Sequence, residues 1–244
     1  MQINIFKTEA EVLANLAAFF VEVTNQAIAK KGRCAVALSG GTSPKKLYEL
    51  ISSPAFKNEV QWQKVDFFFG DERNVPQTDS NSNYLMAKKA LFEPLQIEPK
   101  HIFAVDTSLE PDKAAAKYDA TINNYFKDNK KCFDVVLLGL GDNAHTASLF
   151  PHTPVLHDMT ASIKSVFLED QQVYRITFTA PLINLAHNVA FLVYGQAKAI
   201  AVHHVIEDAK DIENFPAQLI APVNSELKWF MDNAAAAQLK NSIA

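Results

Sequence analysis

Apolar runs of strand length alternate with amphipathic runs of helix length from one end of this chain to the other. That alternation limits the fold more than any other feature. Residues 33–39 (RCAVALS), 65–69 (VDFFF), 134–138 (DVVLL), 174–179 (YRITFT) and 189–194 (VAFLVY) read as strands. Between them lie helical signals. Thr8-Glu9-Ala10-Glu11 has capping-box spacing and opens a helix with Leu13, Leu16, Phe20 and Val23 on one side. Ser43-Pro44 starts a second, with Leu47, Leu50 and Ile51 inward. Ser82 can cap a third through Phe92, and residues 113–126 and 197–207 read as further helices. Trp229 and an Ala-rich tail follow. No Gly/Ser linker, repeat or low-complexity tract interrupts the pattern. The expectation is one α/β domain over residues 1–244, built on a mainly parallel sheet.

A chain of 244 residues can bury a sizeable core within one such domain. Its net charge of −4 with 20% charged residues gives no global pull toward nucleic acid or an anionic membrane, so neither is expected as a partner. No apolar run is read as long enough to span a bilayer, and the first residues lack the basic and apolar regions of a signal peptide. Cys34 and Cys132 lie in or beside apolar runs, which fits reduced thiols and a cytoplasmic location. No His/Cys grouping has metal-site spacing, so no metal is expected. Oligomeric state is open between monomer and homodimer.

Ligands of open α/β sheets bind beyond the carboxyl ends of the strands. The informative segments are therefore 39–43, 70–84, 139–151 and those near 175 and 198. Ser39-Gly40-Gly41-Thr42-Ser43-Pro44 ends a strand and starts a helix. Its backbone N–H groups, hydroxyls and helix N-terminus suit a phosphate cradle, or a plain capped turn. Without a following G-K-[ST] it is not a P-loop. Asp71, Glu72 and Arg73 follow a very apolar strand and read either as a binding loop or as a solvated ion pair. Arg175 and Thr177 share a strand face, and Lys198 lies early in a helix, where a cation is unfavourable unless it holds an anion. Two surface charges would give the same local pattern.

Gly139-x-Gly141-x-x-Ala144 matches a dinucleotide fingerprint. That fingerprint needs a helix after the glycines and an acidic residue ending the next strand. Pro151 and Pro154 interrupt instead, and residues 152–157 before Asp158 make no strand. The turn reads better as a device that presents His145, either as a general base or as a structural imidazole.

Together, "LSGGTSPKKLYEL", "FFFGDERNVP", "SNYLMAKKALF", "LLGLGDNAHTASLFP", "RITFTAPLINLAHNVAFLVYGQAKA" and "PAQLIAP" resemble the 6-phosphogluconolactonases of the bacterial DevB type, within the wider glucosamine-6-phosphate deaminase/isomerase-like superfamily. The resemblance runs nearly end to end. It implies a Rossmann-like three-layer α/β/α fold and hydrolysis of 6-phospho-D-glucono-1,5-lactone to 6-phosphogluconate without cofactor, the second step of the oxidative pentose phosphate pathway. It also implies site roles. His145 is the base, and Arg73 stabilises charge near the lactone carbonyl. Asp71 lines the sugar pocket, while Ser39, Gly40, Gly41, Thr42, Arg175 and Lys198 hold the phosphate. The deaminase branch tends to D-E-Y where this chain has Asp71-Glu72-Arg73, and its later motif reads D-G-H-I-A-F-N-E-P. Both differences favour the lactonase over a deaminase or isomerase.

This chain departs from the family's D-G-H at Asn143-Ala144-His145. The amide can still hydrogen-bond the imidazole but supports an imidazolium less than a carboxylate does. Asp142 is a candidate for the missing charge. Glycine tolerates φ > 0 and alanine does not, so either Ala144 takes ordinary angles or Asn143 takes the left-handed position. A non-catalytic sugar-phosphate sensor is a rival reading, but such regulators carry a helix-turn-helix that this chain is expected to lack. A serine hydrolase would need G-x-S-x-G, whereas Ser148 lies in T-A-S-L-F.

Overall fold

The computed structural model describes residues 1–127, 131–222 and 225–240. In chain order its elements are Gln2–Phe6 (β1), Glu9–Lys31 (α1), Cys34–Leu38 (β2), Thr42–Ile51 (α2), Val65–Phe69 (β3), Asp71–Arg73 (β4), Asn83–Ala87 (α3), Pro111–Phe126 (α4), Val135–Gly139 (β5), Ile163–Leu168 (β6), Val173–Phe178 (β7), Ala180–Ile183 (α5), Asn188–Val193 (β8), Ala199–Glu207 (α6) and Glu226–Asp232 (β9). The helix expected through Phe92 is α-helical only to Ala87 and continues as a π-helical turn over Lys88–Phe92.

Six strands form one parallel sheet in the order β1-β9-β8-β5-β2-β3. The period of two in its strands sorts side chains to two cores. Cys34, Val36, Leu38, Phe67, Phe69, Val135 and Leu137 face α1 and α2. Ala35, Ala37, Phe68, Val136, Leu138, Phe191 and Trp229 face α4 and α6. The result is the expected three-layer α/β/α arrangement.

The run at 174–179 belongs to a different sheet. β7 pairs antiparallel with β4 and β6 in a small three-stranded sheet, order β4-β7-β6. Gly70 joins the two sheets. Its N–H donates to Leu38 O (2.8 Å) and its carbonyl accepts from Phe178 N (2.8 Å). β4, β6 and β9 carry no isolated sequence signal, because β4 is only three residues long and β6 is partly exposed.

Thr8 and Glu11 complete the capping box that opens α1. One expectation needs correction here. α1 has 23 residues and a mean hydropathy of 1.4 over its most apolar window, long and apolar enough to cross a membrane by those two criteria. Half of that window is buried inside the protein, where Val12, Leu16, Ala17 and Phe20 pack on the sheet. Its apolarity is that of a core helix.

Candidate active site

Two buried tyrosines set the ends of adjacent strands. The Tyr48 hydroxyl accepts from Ser39 N (2.9 Å) and donates to Ser39 O (2.8 Å), so α2 grips the turn that precedes it. The Tyr118 hydroxyl on α4 accepts from Phe69 N (2.8 Å) and donates to Phe103 O (3.1 Å). Burial pushes both phenols above their ordinary range, which keeps them protonated and able to donate. Beyond these strand ends lies a cleft of about 520 Å³. Ser39, Gly40, Gly41, Thr42, Asp71, Arg73, His145, Arg175 and Lys198 all line it. The turn expected as a phosphate cradle thus opens into the same space as the expected base.

His145 sits on the loop after β5, half-buried, with its ring stacked on Phe150 at 3.9 Å between centroids. Its Nδ1 meets Asn143 Oδ1. An amide oxygen only accepts, so Nδ1 carries the proton and Nε2 keeps its lone pair. Loss of solvent pulls the imidazole pKa down to about 4; Lys198 and Arg175 push the same way, while Asp71 and Asp142 oppose them. The ring is therefore neutral near pH 7.

Asn143 does not line the cleft. It is exposed and reaches the site only through the His145 ring. Asp142 pairs with Lys198 Nζ at 2.5 Å rather than with His145. Lys198 is the N-cap of α6, and that carboxylate accounts for a cation at a helix start.

Neither conformational alternative for the Asn143-Ala144 pair holds. Ala144 itself takes the left-handed region, with φ of 59°, and Asn143 does not. The loop closes on itself in a way that requires this. Ala144 N donates to Gly141 O (3.0 Å), Gly141 N donates to His145 O (2.8 Å), and Ala144 O accepts from Ala217 N (2.9 Å). Gly141 is needed for space, since a Cβ there would lie 2.0 Å from His145 Nδ1. The irregular loop after β5 contains no helix start, as a dinucleotide site would need.

Asp71 accepts from Ser148 Oγ (2.7 Å) at Oδ2 and from Asn83 Nδ2 (3.2 Å) at Oδ1. Glu72 points the other way and is buried. Its carboxylate accepts from Arg73 N (2.8 Å), Asn83 N (2.7 Å), Tyr84 N (2.8 Å) and Ser82 Oγ (3.2 Å). Burial holds its pKa above the ordinary value against those donors. Glu72 is thus the anchor for the start of α3, and Asp71 is the carboxylate that faces the cleft. Arg73 donates Nη1 to Asn81 O (2.6 Å), and Arg175 donates Nη2 to Gln171 Oε1.

Asn83, Ser148, Gln171 and Tyr194 also line the cleft, and the sequence assigned them no role. Asn83, Ser148 and Tyr194 lie inside the quoted motif blocks, which is the only signal they carry. Gln171 lies in the turn between β6 and β7, outside those blocks and without a local pattern.

Beyond the strand ends of a parallel α/β sheet the chain thus gathers a glycine-rich turn, a desolvated imidazole and the cations Arg73, Arg175 and Lys198. The chain belongs to the glucosamine-6-phosphate isomerase/6-phosphogluconolactonase family, whose model matches residues 7–229. It is 38% identical to a 6-phosphogluconolactonase of Nostoc sp. over 97% of this chain and 98% of that one. The crystal structure of a devB protein superposes with a TM-score of 0.88 at 28% identity, covering 98% of this chain and 99% of the other. A 6-phosphogluconolactonase from Trypanosoma cruzi superposes with a TM-score of 0.87 at 26% identity, over 98% and 97%.

Proposed function

We propose that this chain works as a 6-phosphogluconolactonase through His145. The enzyme hydrolyses 6-phospho-D-glucono-1,5-lactone to 6-phosphogluconate. The observation that carries the reading is the contact of His145 Nδ1 with Asn143 Oδ1 in a cleft that also holds the cations, which assigns the proton to Nδ1 and leaves Nε2 as the basic nitrogen. A lactone is an activated ester, so a positioned water and one base suffice. Nε2 takes a proton from water as the water oxygen bonds the lactone carbonyl carbon. The proton then passes to the ring oxygen as the C–O bond breaks. Arg73 faces the developing oxyanion. The phosphate rests on the turn at Ser39, Gly40, Gly41 and Thr42 and the start of α2, with Arg175 and Lys198 as counter-charges. Lys198 exchanges Asp142 for the phosphate.

Binding also tunes the base. Lys198 and Arg175 both press the His145 pKa down. A phosphate dianion beside them cancels that effect and moves His145 toward the pH at which a base works best. A cytoplasmic location fits the buried thiol Cys34.

The test is a coupled assay in which fresh lactone is generated in place and its disappearance compared with the spontaneous rate. Acceleration above background supports the reading. Release of ammonia from glucosamine 6-phosphate, or phosphogluconate binding without turnover, overturns it.

A further inference from the structure

Asp71 raises a problem of its own. It is a carboxylate in a cleft that carries Arg73, Arg175 and Lys198. A flexible carboxylate there would collapse onto a guanidinium, because the charged pair gains a bidentate, charge-assisted contact. Among the described residues Asp71 makes no ion pair with any of the three. Neutral donors occupy both of its oxygens instead, Ser148 at Oδ2 and Asn83 at Oδ1.

Asn83 is the more committed of the two. It is buried at 2% exposure, and its Nδ2 also donates to the Asp71 main-chain carbonyl at 2.9 Å. Its backbone N–H is fixed on Glu72, and Ser82 before it caps α3 by accepting from Leu85 N. Its Oδ1 is buried without a partner and lies 1.9 Å from where a Cβ on Gly40 would fall. An unpartnered buried amide oxygen carries a desolvation cost that is not expected at a position of packing alone. The missing side chain at Gly40 is what admits the amide. Asn83 therefore touches the carboxylate on one side and the phosphate turn on the other.

We propose that Asn83 is a positioning residue, whose amide holds the Asp71 carboxylate away from Arg73 and Arg175 so that both guanidiniums stay available to the substrate's anionic groups. The proposal rests on the lactonase reading for its substrate. Its effect is electrostatic occupancy: without the amide, Asp71 competes with the ligand for the arginines.

The test uses Asn83→Leu, near in volume but without donors, and Asn83→Ser as a smaller variant should the first fail to fold. Binding of 6-phosphogluconate and turnover of the lactone are both measured. The expected result is at least tenfold weaker phosphogluconate binding and a raised KM for the lactone. Adding Asp71→Asn to either variant restores phosphogluconate binding toward the wild-type value, because the competing charge is gone; turnover need not return. A purely structural role lowers the melting temperature without that second-site rescue. The proposal is overturned if binding is unchanged in Asn83→Leu or Asn83→Ser, or if Asp71→Asn fails to restore it. Wild-type protein without lactonase activity would sink the functional reading instead, and the binding arm would still decide this one.

Discussion

Arg73 and Arg175 stand directly opposite each other across the antiparallel pair β4–β7. Like charges in register on neighbouring strands repel. Each guanidinium also keeps its Nε buried without a partner. Burial first, and then Arg73, hold the Arg175 pKa below its ordinary value. Under the proposed phosphate role of Arg175, a bound anion would relieve that repulsion.

Replacing Arg175 by Met tests that trade directly. Removing one charge relieves roughly 0.5–1 kcal/mol of cross-strand repulsion. For a domain of this size that is about 1–4 °C in melting temperature. Unliganded Arg175→Met is therefore expected to melt at or slightly above the wild-type temperature. The upward shift produced by 6-phosphogluconate should shrink sharply, with binding at least tenfold weaker. Calorimetry with and without ligand reads both. A variant that loses stability yet keeps the ligand shift contradicts the assignment.

His145→Ala should retain phosphogluconate binding while losing most turnover, on the order of 10²–10⁴-fold in kcat. In the proposed mechanism the ring acts through Nε2, and the residues proposed to hold the phosphate lie elsewhere in the cleft. Wild-type turnover above the spontaneous background in this variant would move the base to another group.

The pH profile follows from the sign of the His145 shift. The folded imidazole titrates at about 4, below its ordinary 6.5. The neutral base thus persists far into acid, and the acid limb of kcat/KM, which reports the free enzyme, is expected near pH 4. The kcat limb reports the enzyme–substrate complex and should lie at higher pH, since the bound phosphate offsets Lys198 and Arg175. The same shift affects stability. Between pH 6.5 and 4 the unfolded chain binds the proton and the folded one does not, so this contribution is present above 6.5 and is lost as pH falls through 4. Coincident limbs at 6.5 would show that the ring is solvated.

Much of this architecture was legible in the sequence because it is local. The apolar runs at 34–38, 65–69 and 135–139 are wholly or largely buried and lack competing patterns. The cleft residues sit at their carboxyl ends, where a parallel sheet presents them. What escaped is long-range. β4 becomes a strand only because β7 returns beside it, so Arg73 meets Arg175 across 102 residues of chain. Asn83 and Ser148 have no periodic or spacing signature, since their meaning lies in Asp71, which the fold places between them. The glycine-rich turn after β5 was readable as a turn, but the reason for Gly141 is the volume of the His145 ring.

Asn143→Asp tests how the imidazole is tuned in this variant motif. The amide oxygen holds Nδ1–H without a charge. A carboxylate at the same place favours the imidazolium and should raise the His145 pKa. The acid limb of kcat/KM then moves upward, while phosphogluconate binding stays near wild type because residue 143 lies outside the cleft. An unmoved limb would mean that Asn143 does not contact the ring in solution.

Ala144 provides the last test, because its backbone and side chain pull in opposite directions. Its left-handed φ of 59° costs an alanine about 1–2 kcal/mol. Its methyl is buried in the core cluster that also holds Leu149 and Ala217, and deleting one buried methyl costs about 0.8 kcal/mol. Ala144→Gly should therefore change stability by less than about 1 kcal/mol and leave His145 in place with activity intact. Ala144→Val keeps the unfavourable φ, adds a β-branch that the left-handed region tolerates least and forces extra volume into the core. A loss of at least about 2 kcal/mol is expected, with turnover falling more than ligand binding as the Gly141–His145 loop shifts. Denaturant melts of the two variants read the contrast. Equal stability for glycine and valine at this position would show that the loop does not hold residue 144 in the left-handed region.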